Sequence, residues 1–125
     1  MSMKFLVVDD SVTMRRIVVN SLKGLGYSDF LEAGDGKEAL SILNQEDSVS
    51  FVITDWNMPN MSGLELVKAI RAHETYSDTP ILMVTTRGVK EDIMDALAAK
   101  VNNYVVKPFT PAILKEKIDM ILASQ

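Results

Sequence analysis

At 125 residues, with 47% hydrophobic side chains, the chain suits one domain with material for a two- or three-layer core. Its formal net charge of −4 argues against nucleic acid as the main partner, because neutralising phosphates needs clustered Lys and Arg. Zero cysteine excludes disulfides, thiolate metal sites and thiol catalysis, and no apolar run approaches the roughly 20 residues that span a bilayer. With no signal-peptide pattern at the N-terminus, a cytoplasmic protein is expected, with neither membrane nor nucleic acid as partner.

Along the chain, short apolar runs alternate with apolar residues at helical spacing. Phe5-Leu6-Val7-Val8 reads as a first strand, followed by a helix carrying Met14, Ile17, Val18, Leu22 and Leu25 and stopped by Gly26. Phe30-Leu31 is a weaker second strand, whose Glu32 suits a sheet edge. Asp35 and Glu38 are spaced as a capping box before a helix with Ala39, Leu40 and Leu43. Phe51-Val52-Ile53 is the third strand, and Ser62 with Glu65 opens a helix lined by Leu66, Val67 and Ile70. Ile81-Leu82-Met83-Val84 is the fourth, with Val89, Ile93, Met94 and Leu97 on the helix behind it. Tyr104-Val105-Val106 is the fifth, after which Thr110 and Pro111 start a helix carrying Leu114, Ile118, Ile121 and Leu122.

Five strand–helix units in alternation predict an α/β fold, a parallel sheet covered by helices on both faces. They use residues 1–125 as a single domain and leave no stretch for an output domain. In such sheets ligands bind outside the carboxyl ends of the strands. The first strand runs into Asp9-Asp10, the third ends Thr54-Asp55, the fourth Thr85-Thr86 and the fifth Lys107-Pro108. Taken singly, each has an ordinary explanation. Asp9 or Asp10 can cap the first helix, Asp55 can start a loop, Lys107 can be a solvated charge and Thr85 a satisfied hydroxyl. Together they place three carboxylates in one pocket, where they repel unless a cation joins them, and magnesium suits oxygen ligands of this kind.

The segments Val7-Val8-Asp9-Asp10-Ser11, Thr54 to Gly63, Val84-Thr85 and Tyr104-Val105-Val106-Lys107-Pro108-Phe109 resemble bacterial two-component response-regulator receivers. The likeness covers essentially the whole chain and is strongest toward single-domain chemotaxis regulators of the CheY type. It implies a flavodoxin-like, doubly wound, five-stranded sheet of order 2-1-3-4-5 with five helices. Asp55 is then the phosphoacceptor, taking phosphate from a histidine kinase. Mg2+ is held by Asp9, Asp10, Asp55 and the main-chain carbonyl of Asn57, with Asp9 acting through water. Lys107 clamps the phosphoryl group and Thr85 donates its hydroxyl to it. Tyr104 swings inward as the loop after strand four is drawn in. Lys90, Tyr104, Val106 and Lys117 form the partner surface, which in chemotaxis binds the flagellar motor switch protein. The resemblance further implies a cis Lys107-Pro108 bond, a monomer, and a phosphatase as a further candidate partner.

Two positions depart from the family pattern. Lys100 stands where a glycine is common, so either it or Asn102 and Asn103 must absorb a left-handed turn. Arg87 replaces an acidic residue beside the phosphate, leaving the lifetime of the phosphorylated state open. His73 reads as a surface residue, the eight Met mostly as core filler, and Trp56 as a reporter. Three rival functions share parts of this chemistry. A phosphorelay intermediate would pass phosphate to another histidine protein. A haloacid-dehalogenase-like phosphatase would need a second acid two positions after Asp9, where Ser11 stands. A flavin carrier would meet repulsion from Asp9-Asp10.

Overall fold

The computed structural model describes residues 3–125. The apolar runs become β1 (Lys4–Val8), β2 (Asp29–Ala33), β3 (Phe51–Thr54), β4 (Ile81–Thr85) and β5 (Asn103–Val106). The helices are α1 (Val12–Gly24), α2 (Gly36–Gln45), α3 (Gly63–Arg71), α4 (Lys90–Ala98) and α5 (Pro111–Ala123). All strand pairs are parallel and the order is β2-β1-β3-β4-β5, the flavodoxin-like order that the resemblance implied.

Successive side chains of a strand face opposite sides, so each buried strand feeds two cores. Leu6, Val8, Val52, Ile81 and Met83 pack with α2, α3 and α4 on one face. Phe5, Val7, Phe51, Ile53, Leu82 and Val84 pack with α1 and α5 on the other. Beyond β1, the Asp9 N–H still donates to Ala33 O at 3.1 Å, and the Asp55 N–H donates to Val8 O at 2.9 Å. The sheet ladder thus continues one residue past the strands and fixes the main chain of both acids.

Helix ends follow local chemistry. Ser11, not Asp9 or Asp10, is the N-cap of α1, its hydroxyl accepting from Met14 N. Gly26, at φ 102°, ends the helix as expected, with Gly26 N on Lys23 O and Tyr27 N on Leu22 O. Ser62 and Glu65 form the full reciprocal box on α3. Asp35 caps α2, but the Glu38 carboxylate accepts from Gly34 N at 2.6 Å rather than from the cap residue. Thr110 caps α5 with Pro111 in its first turn.

Two helical stripes sit differently from the expectation. In α1 the buried residues are Val18, Val19 and Leu22, while Ile17 is exposed. In α4 only Ala96 is fully buried, with Ile93 packed against the core. Val89 precedes the helix as its N-cap, and Val89, Met94 and Leu97 are exposed. The small Ala96 sets the contact face of α4, so the larger apolar side chains on the neighbouring face turn outward.

The left-handed turn falls on Lys100, at φ 77°, rather than on Asn102 or Asn103. Lys100 N bonds Leu97 O and Val101 N bonds Ala96 O, closing α4 with the pattern that a glycine normally serves. Arg71 braces this turn: Nε and Nη2 donate to Lys100 O, Nη2 also to Asn102 Oδ1, and Nη1 to Ser77 O and Thr79 O. A side chain with a Cβ is strained in this conformation, and glycine is not. Lys100→Gly is therefore expected to stabilise the fold by roughly 0.5–1 kcal/mol, the relief exceeding the extra entropy of the unfolded chain. Urea unfolding should show a raised midpoint at unchanged slope; an unchanged or lowered midpoint contradicts the strain.

Candidate functional site at the strand ends

The strand order reverses between β1 and β3, and Asp9 and Asp55 stand one residue past these two strands. Asp9 is buried; its Oδ1 accepts from Ser11 N at 2.9 Å and its Oδ2 from Lys107 Nζ at 2.9 Å. The Asp55 Oδ1 accepts from Trp56 N at 2.6 Å and its Oδ2 from the same Lys107 Nζ at 2.9 Å. Asp10 is exposed. Oxygens from Asp9, Asp10 and Asp55 lie within 4.8 Å of one another, so the expected convergence of three acids is present. Lys107 enters from the end of β5 and is followed by the cis bond to Pro108 that the resemblance implied.

Burial pushes the Asp9 carboxyl above the usual aspartate range, and this outweighs the Ser11 N–H and the Lys107 ammonium, which both favour its charged form. For Lys107 the balance goes the other way. Burial alone would lower its pKa, but hydrogen bonds and attraction from Asp55 and Asp9 together raise it. The pocket thus holds one ammonium between two acids, with a third acid at the rim. Among the described residues the cluster is an all-oxygen donor set of carboxylates, the chemistry a hard divalent ion such as magnesium takes.

Around this centre, Thr85 is fully buried at the end of β4, and its Oγ1 accepts weakly from Arg87 N at 3.4 Å. Tyr104 is also buried, its hydroxyl donating to Arg87 O at 2.6 Å, and burial pushes its pKa to about 12. The sequence reading ties the inward ring to phosphorylation; in this structure the ring already lies inward. Of the expected partner surface, Lys90 and Val106 are exposed and Lys117 half-buried, whereas Tyr104 offers that surface almost nothing. His73 is half-buried, its Nε2 2.8 Å from Asn44 Oδ1.

Three residues at the site carry more than the sequence reading gave them. Arg87 lies over the Trp56 ring, 4.6 Å from its centroid, and donates to Asn57 Oδ1 from Nε at 3.0 Å and Nη2 at 2.8 Å. Gly63 lies so close behind Asp55 that a Cβ would strike the Asp55 carbonyl. Arg15 reaches the Asp9 carbonyl from α1 at 2.6 Å. Only Arg15 has a local signal: a cation in the first turn of a helix opposes the helix dipole and so implies a compensating contact.

Known proteins bear on this geometry directly. Residues 5–119 match the response regulator receiver domain family. The chain is 57% identical over 122 residues to a chemotaxis protein CheY homolog of Campylobacter jejuni, covering 98% of this chain and 94% of that protein. It is 54% identical to chemotaxis protein CheY1 of Helicobacter pylori, covering 98% of each. Among solved structures, the chemotaxis response regulator CheY4 of Vibrio cholerae superposes with a TM-score of 0.88 at 37% identity, over 97% of this chain and 99% of that one. A flavodoxin-like sheet with its acids at the switch point is the frame of a signalling receiver, and the chain belongs to the response regulator receiver family. Within that family it is of the CheY type, and its place is in chemotaxis signalling.

Proposed function

We propose that the protein is a phosphorylation switch in which Asp55 takes a phosphoryl group from a histidine kinase. The reading is carried by one observation: buried Asp9 and half-buried Asp55, from adjacent strands, share a single lysine, with a third acid within 4.8 Å. One Asp55 carboxylate oxygen attacks phosphorus, the P–N bond to the donor imidazole breaks, and an acyl phosphate forms as the imidazole leaves. Of the two acids that share Lys107, Asp55 suits attack better, since its side chain is 12% exposed and that of Asp9 6%. This order argues against the dehalogenase-like alternative, in which Asp9 would be the nucleophile.

Asp9, Asp10, Asp55 and the Asn57 carbonyl would hold Mg2+, which neutralises charge on the transferring oxygens. The Lys107 ammonium moves from its carboxylate partners toward the incoming phosphoryl oxygens, and the Thr85 hydroxyl donates to another. Because the Arg87 main chain contacts both Thr85 and Tyr104, a pull on Thr85 reaches the tyrosine through one residue. The inward ring is a position the fold itself provides, so phosphorylation need only bias an existing equilibrium. Lys90, Val106 and Lys117, with exposed Val89, Met94 and Leu97, then form the surface for the flagellar motor switch protein, in the cytoplasm.

Trp56, buried beside Asp55, reports each step. Mg2+ should change its fluorescence, and acetyl phosphate should change it further. Asp55→Asn should fold, keep the first response and lose the second; a retained second response would count against Asp55. Capture of a motor switch peptide only with a phosphoryl mimic supports the chemotaxis output, and onward transfer to a histidine protein without that capture supports a relay.

A further inference from the structure

The start of α1 carries a cation where the helix dipole disfavours one, with no acid in the first turn to offset it. Arg15 is half-buried there, and its guanidinium is spent away from the helix. Nη1 donates to the Asp9 main-chain oxygen at 2.6 Å, and Nε donates to Glu32 Oε1 at 3.1 Å. Glu32 lies on β2, the edge strand, with its side chain 44% exposed. An exposed ion pair of that kind adds little to stability by itself. It does orient the planar guanidinium, whose fork can face a strand and a loop at once.

The carbonyl that Arg15 holds belongs to the peptide joining Asp9 to Asp10. A peptide unit is rigid, so fixing its oxygen fixes the directions in which both flanking residues leave it. Asp9 has further anchors in Ala33 O, Ser11 N and Lys107 Nζ. Asp10 does not: among the described residues no hydrogen bond reaches its carboxylate, so the aim of that side chain depends on its own backbone.

We infer that Arg15 is a positioning residue for the acid pair, clamping the Asp9–Asp10 peptide so that both carboxylates face one divalent cation. This rests on the reading of Asp9, Asp10 and Asp55 as a magnesium site. Charge and position make opposite demands on the test. Arg15 is a positive charge beside an acidic pocket, so if it acted only through its field, removing it would tighten Mg2+ binding. If it acts by holding the peptide, removing it loosens binding, by about tenfold, as loss of partners behind metal ligands commonly does.

Mg2+ titrations followed by Trp56 fluorescence, with thermal unfolding of each metal-free protein alongside, separate the two. Arg15→Ala is expected to bind Mg2+ about tenfold more weakly. Arg15→Lys, which keeps the charge and loses the fork, should also bind more weakly at a nearly unchanged Tm. Arg16→Ala removes an equal charge from an exposed neighbour and should bind as tightly as the native chain or slightly more so. Native-like or tighter binding by both Arg15 variants overturns the inference. Should Arg15→Ala not fold, Arg15→Lys against Arg16→Ala decides it alone. A native chain that shows no Mg2+ response would instead overturn the metal-site reading on which the inference stands.

Discussion

Gly63→Ala is expected to destabilise the protein by about 3 kcal/mol and to slow phosphorylation of Asp55 about a hundredfold. Propensity alone predicts the reverse. Gly63 is the first residue of α3, has no positive φ, and alanine favours a helix over glycine by about 1 kcal/mol. What decides the sign is contact. A Cβ at Gly63 would run into the Asp55 carbonyl oxygen, and would lie 2.8 Å from its carbon and 2.9 Å from Trp56 Cα. These are main-chain atoms, already tied by Gly63 N to Trp56 O at 2.8 Å and by the Thr54 hydroxyl to Asp55 O at 2.8 Å. No rotamer can relieve such a clash, so the backbone carrying Asp55 must move. Its carboxylate then leaves both the Lys107 ammonium and the neighbouring acids, and a displacement of about 1 Å at a reacting group commonly costs two orders of magnitude in rate. Urea unfolding and the rate of the acetyl-phosphate response of Trp56 measure the two effects. A variant of native stability and native rate would show that the β3–α3 turn tolerates the methyl group and that the tight approach has no role.

Most of this architecture could be read from the order of residues, for an identifiable reason. The five strands are short, nearly all apolar and separated by amphipathic helices, so periodicity marks the elements and the parallel rule places their carboxyl ends together. Asp9, Asp55 and Lys107 each stand directly past the end of a strand, which is why their convergence was legible. Strand order was not a matter of periodicity; it came with the family likeness. What stayed hidden depends on distances between segments far apart in the chain. Nothing near Gly63 says that the carbonyl eight residues before it lies against its α-carbon. Nothing near Trp56 announces that Arg87 covers its ring. The misplaced stripe of α4 has a different origin. Met94 and Leu97 fit helical spacing as well as Ile93 and Ala96 do, and periodicity identifies an amphipathic helix without saying which apolar arc meets the sheet. A face left apolar and exposed on a helix beside β5 is consistent with its use as a binding surface.

Lys107→Met, which keeps the aliphatic stem and deletes the ammonium, is expected to separate the structural and chemical duties of this lysine. The side chains of Lys107, Asp9 and Asp55 are only 6–12% exposed, so the variant leaves two carboxylates facing each other with little water. Removing one partner of a largely buried pair is costly, and with the third acid open to solvent the loss should be about 2–3 kcal/mol at neutral pH. The deficit should depend on pH in a set direction. Asp9 already has its pKa raised by burial, and loss of the Lys107 hydrogen bond and charge raises it further. A carboxyl that holds its proton more tightly folded than unfolded makes the native state the larger proton binder, so stability rises as pH falls. The gap between variant and native chain should therefore narrow on going from neutral pH down through the aspartate range, as a proton on Asp9 replaces the missing ammonium. Magnesium should narrow it as well, and should bind the variant more tightly than the native chain, since no ammonium then competes for the Asp9 and Asp55 oxygens. Phosphorylation should nevertheless become slower, because the positive clamp on the transferring group is gone. Urea unfolding across pH, with and without Mg2+, tests the pairing, and Trp56 fluorescence with acetyl phosphate tests the chemistry. A variant whose deficit is the same at every pH would mean that Lys107 stabilises by packing alone. One that binds Mg2+ more weakly would mean that the lysine supports the metal site instead of competing with it.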